Sequence, residues 1–357
     1  RSDGVATNQF WDWYVTGLSG PQWYHYPVGV TTVTCTATDA AGNPGTGTFT
    51  VTVVLEEAGP VASTSPPSAY SQVTAISGLT DPDEVAVDNY GNVYAVEDHS
   101  VKKFNSSLEL LFTISGLSNP FDVGVDNSGN IYVLDQGTNS VKKYDSSGTF
   151  ITQQSIGSWN SFQGGSYHSS VKSLSVVGNY VYVSYSELYT TNGGAIVKLD
   201  LSLNQILTIP AYYPTSVTAD SSGNIYAFRD FQPDDSTPYG SNISAHLISK
   251  YSSSGSLILE FGGLASSDEL GKFKSVGGIE VDSSGNIYVA EHNRKRVQVF
   301  DSSGDFVRWF GETGSGLGQF WRLHGITVDS AGNVYVADGM DNHRIQIFPP
   351  NYGQTAA

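Results

Sequence analysis

His324 heads an apolar run, Leu323-His324-Gly325-Ile326, and the surroundings of that run recur five more times along the chain. The positions in register with it are Asp83, Phe121, Lys172, Thr215 and Gly277, with Glu84 and Asp122 one place further on. If the recurring units close into a ring, these residues converge at one end of its axis. An imidazole, carboxyl groups and an amine are the groups that move protons. Asp83, Glu84, Asp122, Lys172 and His324 are therefore the candidate site, and its chemistry would be that of a lyase or hydrolase. Asp83, Glu84, Asp122 and His324 could instead gather a hard cation such as Ca²⁺, which takes oxygen ligands. No other cofactor is called for.

The remaining histidines of the repeating region, His99, His168, His246, His292 and His343, fall at the same end of the units. They admit two readings, a metal site or turn residues that pack against the next unit. Glu97, Asp135, Glu291 and Asp338 end second strands and form a partial ring, which could attract cations or bond the Asn and Arg of the following turn. The Asp-x-x-Gly-Asn turns are too short to wrap an ion. The chain contains no Gly-x-Ser-x-Gly elbow, His-Glu-x-x-His pair or phosphate loop.

Composition says what must hold these groups. The 357 residues include 39 Gly, 14 Pro, 21 Tyr and a single Met, with 14% charged, a composition suited to short strands and tight turns. A net charge of −17, from 34 acidic and 17 basic residues, repels phosphate backbones, so nucleic acid is not an expected partner. No run of about 18 apolar residues exists, and no membrane insertion is expected. The chain begins at Arg1, as expected of a processed or excised piece. The lone Cys35 argues against an internal disulfide framework and a cysteine metal cluster. Asn105-Ser106-Ser107 and Asn242-Ile243-Ser244 are acceptor sequons, and with the acidic, Ser/Thr/Asn/Gly-rich, Lys-poor surface they point to an extracellular or cell-surface glycoprotein.

The repeating unit is marked by Gly-Asn, an apolar residue and Tyr, at Gly91, Gly129, Gly223, Gly285 and Gly332, with a weaker copy at Gly178. In sequence order the intervals are 38, 49, 45, 62 and 47 residues, the length of a four-stranded propeller blade with variable loops. Alternation at period two, as in Gly278-Ile279-Glu280-Val281-Asp282 and Asn286-Ile287-Tyr288-Val289-Ala290, means strands joined by an Asp/Gly turn. Outer strands are expected at 108–114, 149–155, 204–209, 256–261 and 305–310, but Pro349-Pro350 blocks one in the last unit. The segment Gln72-Val73-Thr74-Ala75-Ile76 is assigned there, closing the ring with N-terminal and C-terminal strands in one sheet. The long insertions, 157–171, 186–195, 230–246, 264–275 and 312–323, all fall on one face, the expected functional face.

The units from Gly278 to Phe310 and from Gly325 to Phe348, with Asn293-Arg294-Lys295-Arg296-Val297-Gln298-Val299-Phe300 and Asp341-Asn342-His343-Arg344-Ile345-Gln346-Ile347-Phe348, resemble NHL repeats. That resemblance spans residues 70–349 and implies an all-β, six-bladed β-propeller. It also implies that His99, His292 and His343 are consensus turn residues. Amidating-lyase relatives of the fold use three channel histidines around zinc; this chain offers one, so that activity is not expected.

Residues 1–55 differ, holding Trp11, Trp13 and Trp23 and no blade turn. The run from Tyr26 to Asn43, followed by Thr48-Phe49-Thr50-Val51-Thr52-Val53, resembles the C-terminal half of a hyalin-repeat (HYR) domain, which implies an immunoglobulin-like sandwich and extracellular adhesion. In that family the cysteine at the Cys35 position usually pairs with one in an opening strand missing here, and Gly47 stands where a second is found. Half a sandwich leaves an open edge. The missing strands are expected to come from another copy, through its terminal extension Asn351 to Ala357, with Cys35, Trp11, Trp13 and Trp23 at the joint; a boundary set by cloning or proteolysis is the alternative. The tryptophans and Tyr24 could also stack on sugars, making glycans possible partners. The organisation read from the sequence is a partial HYR-like sandwich at 1–55, a linker at 56–69, the propeller at 70–349 and a tail at 350–357. The function expected is structural or adhesive and non-enzymatic: protein–protein contacts and self-assembly into a surface filament or layer, with copies of itself or other surface proteins as partners. A lyase or hydrolase at the channel mouth, and a glycan or peptide receptor, are the rivals.

Overall fold

Five of the six units are each organised by one aspartate. In the turn 282–286, Asp282 Oδ1 accepts the backbone N–H groups of Ser284 and Asn286, and its Oδ2 accepts Asn286 Nδ2 at 2.8 Å and the Tyr288 hydroxyl at 3.1 Å. Asp88, Asp126, Asp220 and Asp329 do the same with Asn92 and Tyr94, Asn130 and Tyr132, Asn224 and Tyr226, and Asn333 and Tyr335. The recurring Gly-Asn-x-Tyr is thus the covalent trace of a turn whose carboxylate satisfies its own backbone and pins a buried tyrosine. The glycine supplies the positive φ, 85° at Gly285. The weaker copy at Gly178 has no aspartate at the equivalent place, yet Tyr182 is buried like its counterparts. Cations cover most of these rings: Lys103, Lys143, Lys198, Lys250 and Arg308 lie 5.0–5.5 Å from the centroids of Tyr94, Tyr132, Tyr182, Tyr226 and Tyr288.

The structure, a computed structural model, describes residues 29–38, 44–53, 72–156, 161–162, 165–166, 169–187, 193–231, 245–266 and 268–355. It divides into two compact units, Arg1–Val61 and Ala62–Ala357. Among the described residues no helix is long and apolar enough to cross a membrane.

The larger unit is a six-bladed β-propeller. Blade 1 is the antiparallel sheet Glu84–Val87, Val93–Glu97, Ser100–Phe104 and Leu110–Ile114, and the next four blades begin with Pro120–Val125, Ser169–Val177, Pro214–Ala219 and Val276–Val281. Blade 6 takes its inner three strands from Leu323–Val328, Val334–Asp338 and Arg344–Phe348. Its outer strand is Thr74–Ser77, in register Thr74↔Ile347 to Ser77↔Arg344. The ring closes as the Pro349-Pro350 block requires. Among the described residues the buried apolar side chains gather in six seams between successive blades, such as Tyr132, Leu134 and Val141 of blade 2 against Val171, Leu174 and Val183 of blade 3, with Ile76 and Ile345 of blade 6 meeting Val85 and Phe104 of blade 1 at the closure.

Two expectations are corrected here. Residues Gln354–Thr355 form a fifth strand on blade 5, Thr355 opposite Arg308 and Gln354 opposite Trp309, so the C-terminal extension is paired within its own chain and is not a free donor strand. Asn105 is not a free acceptor for a glycan: it is buried at 7% exposure in the turn between the third and fourth strands of blade 1, where blades 2 and 5 carry Asp145 and Asp301, and it receives the Ser107 and Glu109 N–H groups while its amide donates to Glu109. Asn242, the other sequon, lies outside the described residues.

In the smaller unit, strands Gly29–Thr38 and Pro44–Val53 pair antiparallel over their full length, from Gly29↔Val53 to Thr38↔Pro44, with Cys35 opposite Gly47. Trp11, Trp13 and Trp23 lie outside the described residues.

Candidate functional site at the channel mouth

The first strand of every blade lines the axis, and period two turns every second residue inward. Phe121, Lys172, Thr215, Gly277 and His324 line one cavity of about 310 Å³ together with Glu84, Ser275, His292 and Arg322. Asp83 stands beside it, its Oδ1 3.3 Å from His324 Nδ1. Asp122 does not reach this cavity. It lies deeper, where a separate space of about 70 Å³ is lined by Glu84, Asp122 and Glu280 among others. The four candidate cation ligands are therefore split between two places, and among the described residues no group of three or more His, Cys, Asp and Glu side chains is arranged to hold a metal.

The hydrogen bonds decide the state of His324. Arg322 Nε–H donates to His324 Nε2 at 2.9 Å, so Nε2 is the acceptor nitrogen and the proton sits on Nδ1, facing Asp83. Burial, then the positive charge of Arg322 and the neighbouring His292, push His324 down to about 4, so the ring is neutral at neutral pH. Arg322 is held in turn by Asp81 at 3.2 Å and Asp83 at 3.8 Å. His292 Nδ1 lies 3.0 Å from the Leu323 carbonyl, and its ring meets that of His324 edge-on at 5.3 Å. Burial lowers His292 below its usual range. Lys172 is also lowered by burial, and it has no carboxylate partner among the described residues.

Below the mouth the carboxyls are raised above the usual carboxylate range. Glu84 lies well above the usual carboxylate range, first from burial and then from the charges of Asp122 and Asp83. Asp122 is pushed up to about 7 by burial, although it accepts the Leu174 and Val123 N–H groups at 2.6 and 2.7 Å. Glu280, bonded to Thr218 Oγ1 and Val281 N–H at 2.9 Å each, is likewise pushed up to about 7 by burial.

Sequence reasoning missed Arg322, Glu280 and the place of His292 at the mouth. Glu280 carried a signal, since it lies two residues beyond Gly278 on an axis-lining strand and so faces the same way. Arg322 lies just before its strand, where period two says nothing.

The surrounding loops are fixed by buried arginines. Arg344 donates to the carbonyls of Ser315, Gly316 and Gln319 in one insertion, and Arg296 to those of Asp268 and Glu269 in the other. Both are anchored by the acidic ends of second strands, Asp338 at 3.0 Å and Glu291 at 2.6 Å; Asp135 binds Lys142 at 2.6 Å in the same way, and Glu97 binds Lys102. The partial acidic ring is thus consumed by structural pairing. His343 Nδ1 accepts the Asp81 N–H at 3.3 Å, a contact with the next blade. His246 is fully buried and His99 lies in its turn, away from the cavity lining; His168 lies outside the described residues.

Residues 273–300 and 320–348 match the NHL repeat model, and residues 20–53 match the HYR domain model. No curated protein matches the chain. Among solved structures, the chain is similar to a gluconolactonase from Xanthomonas campestris (12% identity, 81% of this chain and 96% of that one, TM-score 0.54). It is also similar to a streptogramin B lyase (14%, 79% and 99%, TM-score 0.51) and to a protein of unknown function from Bacteroides thetaiotaomicron (14%, 80% and 75%, TM-score 0.52). At such identities the likeness is one of fold alone.

Proposed function

With NHL repeats on a six-bladed propeller and an HYR match ahead of it, we propose that this is an extracellular structural or adhesive protein acting through protein–protein contacts. Its copies join when a strand of one completes the N-terminal module of the next. The observation that carries this reading is the hairpin Gly29–Thr38 with Pro44–Val53, ten residues a side, which lies within the HYR match at 20–53. The edge of such a hairpin accepts a further strand through its backbone N–H and C=O groups, and in this reading a neighbouring copy supplies that strand. The HYR match supports an extracellular place, as that domain is typical of extracellular proteins. The arginine-braced insertions support a rigid docking face. Mass in solution and negative-stain electron microscopy test the reading: particles far above the 38.2 kDa chain are expected, lost on deleting residues 1–55. A monodisperse monomer from the intact chain overturns it.

One observation favours a second reading. Lys172, His292, His324 and Arg322 surround a single cavity on a fold shared with a gluconolactonase and a lyase, which supports a lyase or hydrolase in which neutral His324 takes up a proton once Arg322 moves aside. Lactone and ester turnover lost in His324→Ala tests it, and turnover unchanged in that variant removes it.

A further inference from the structure

We infer that the mouth cavity is a binding site for a monoanionic acidic sugar, a pyranose carrying one carboxylate, held through Lys172. Charge comes first. The chain as a whole carries −17, yet of the side chains that line this cavity two are cations, Lys172 and Arg322, and Glu84 is the only carboxyl. Arg322 is already met by Asp81 and Asp83 on its outer side. Lys172 is not met by any carboxylate among the described residues, and its half-buried position leaves it short of water as well. A buried-side ammonium without a counter-charge favours an anion, and a single one favours a single negative charge over the near-dianion of a phosphate monoester.

The rest of the lining selects what carries the charge. Phe121 gives the cavity an aromatic wall against which the C–H face of a sugar ring packs. Ser275 supplies a hydroxyl that both donates and accepts, and Thr215, whose hydroxyl donates to the Phe228 carbonyl at 3.5 Å, supplies an acceptor; both match ring hydroxyls. A volume of about 310 Å³ is at the small end of ligand pockets, suited to one or two sugar rings and too small for a folded peptide. The site is independent of the strand-completed assembly and requires no turnover, so its failure would leave both readings of function standing.

The test uses the full chain and ligand-observed NMR with glucuronate, glucose, acetate and inorganic phosphate as probes. Glucuronate is expected to bind more tightly than glucose, which lacks the charge, and than acetate, which lacks the ring. Lys172→Met is expected to weaken glucuronate by about tenfold or more while Lys172→Arg retains it. Thermal melts establish that the variants fold; should Lys172→Met not fold, Lys172→Gln and the loss of glucuronate binding with rising salt in the parent chain carry the same comparison. Four results would each overturn the inference: glucose or acetate binding as well as glucuronate, phosphate binding as tightly, folded Lys172→Met or Lys172→Gln binding unchanged, or no glucuronate binding below about 10 mM.

Discussion

The carboxyl group of Glu84 fills the space in which a side chain on Gly325 would stand, and the Glu84 Cα lies 2.7 Å from the same point. Blade 6 therefore meets blade 1 at the axis through a glycine, and the Gly325 N–H donates to the Asp83 carbonyl at 2.8 Å across that seam. Gly325→Ala is expected to cost roughly 2–4 kcal/mol in urea unfolding, because backbone as well as side chain must move. Adding Glu84→Ala should recover only part of the loss, since the main chain at position 84 still stands in the way.

Glu280 sets a pH dependence. Its folded value of about 7 lies above the ordinary 4.5, so the folded chain holds the extra proton between those values. Stability from this group is fully present below pH 4.5, is lost as pH rises through 7, and changes no further above. Glu280→Gln keeps an oxygen for Thr218 and Val281 and removes the charge. It should raise stability at pH 7.5 by roughly 1–3 kcal/mol and leave it little changed at pH 4.5, read from melts at both values.

His324 titrates in the opposite sense. Its value of about 4 means that stability is lost as pH falls from 6.5 towards 4. Arg322→Met removes a lowering charge and the donor on Nε2, so the ring should titrate at higher pH, followed through its NMR signals. An unmoved His324 would mean that Arg322 has no part in setting its value.

The two kinds of aspartate turn should differ in worth. Asp282 bonds two backbone groups, an amide and a buried hydroxyl, whereas Asp301 in the outer turn bonds only the N–H groups of Ser303 and Asp305. Chemical unfolding should show roughly 2–3 kcal/mol lost in Asp282→Ala and under about 1 kcal/mol in Asp301→Ala.

The two ends of the chain should also differ. Removing residues through Ser77 strips the outer strand of blade 6, uncovers the edge of Arg344–Phe348 and exposes Ile345, so aggregation in light scattering is expected. Removing residues 353–357 leaves blade 5 with the usual four strands and should cost under about 1 kcal/mol.

Much of this molecule is legible in its residues because the fold is local chemistry repeated. Asp, Gly, Asn and Tyr within seven positions specify a turn and the buried ring it holds, and period two then places Phe121, Lys172, Thr215, Gly277 and His324 on one ring around an axis. Pro349-Pro350 rules out a last outer strand, and the need to cover an edge assigns Thr74–Ser77 to it. Apart from that closing pairing, Thr74 opposite Ile347, these features are set by residues close together in the chain. What only the tertiary structure decided is what contacts between distant parts of the chain set. Arg322 reaches His324 and Asp81 because a loop of blade 6 folds against the start of blade 1, and no periodicity governs where a long side chain outside a strand points. Asp122 and Glu280 share the interior because strands more than 150 residues apart converge on one axis, and burial in that shared low-dielectric space raises both above the usual carboxylate range. Asn105 shows the same limit from the other side: its sequon reads as an exposed acceptor, while the folded turn buries the amide and uses every polar atom it has.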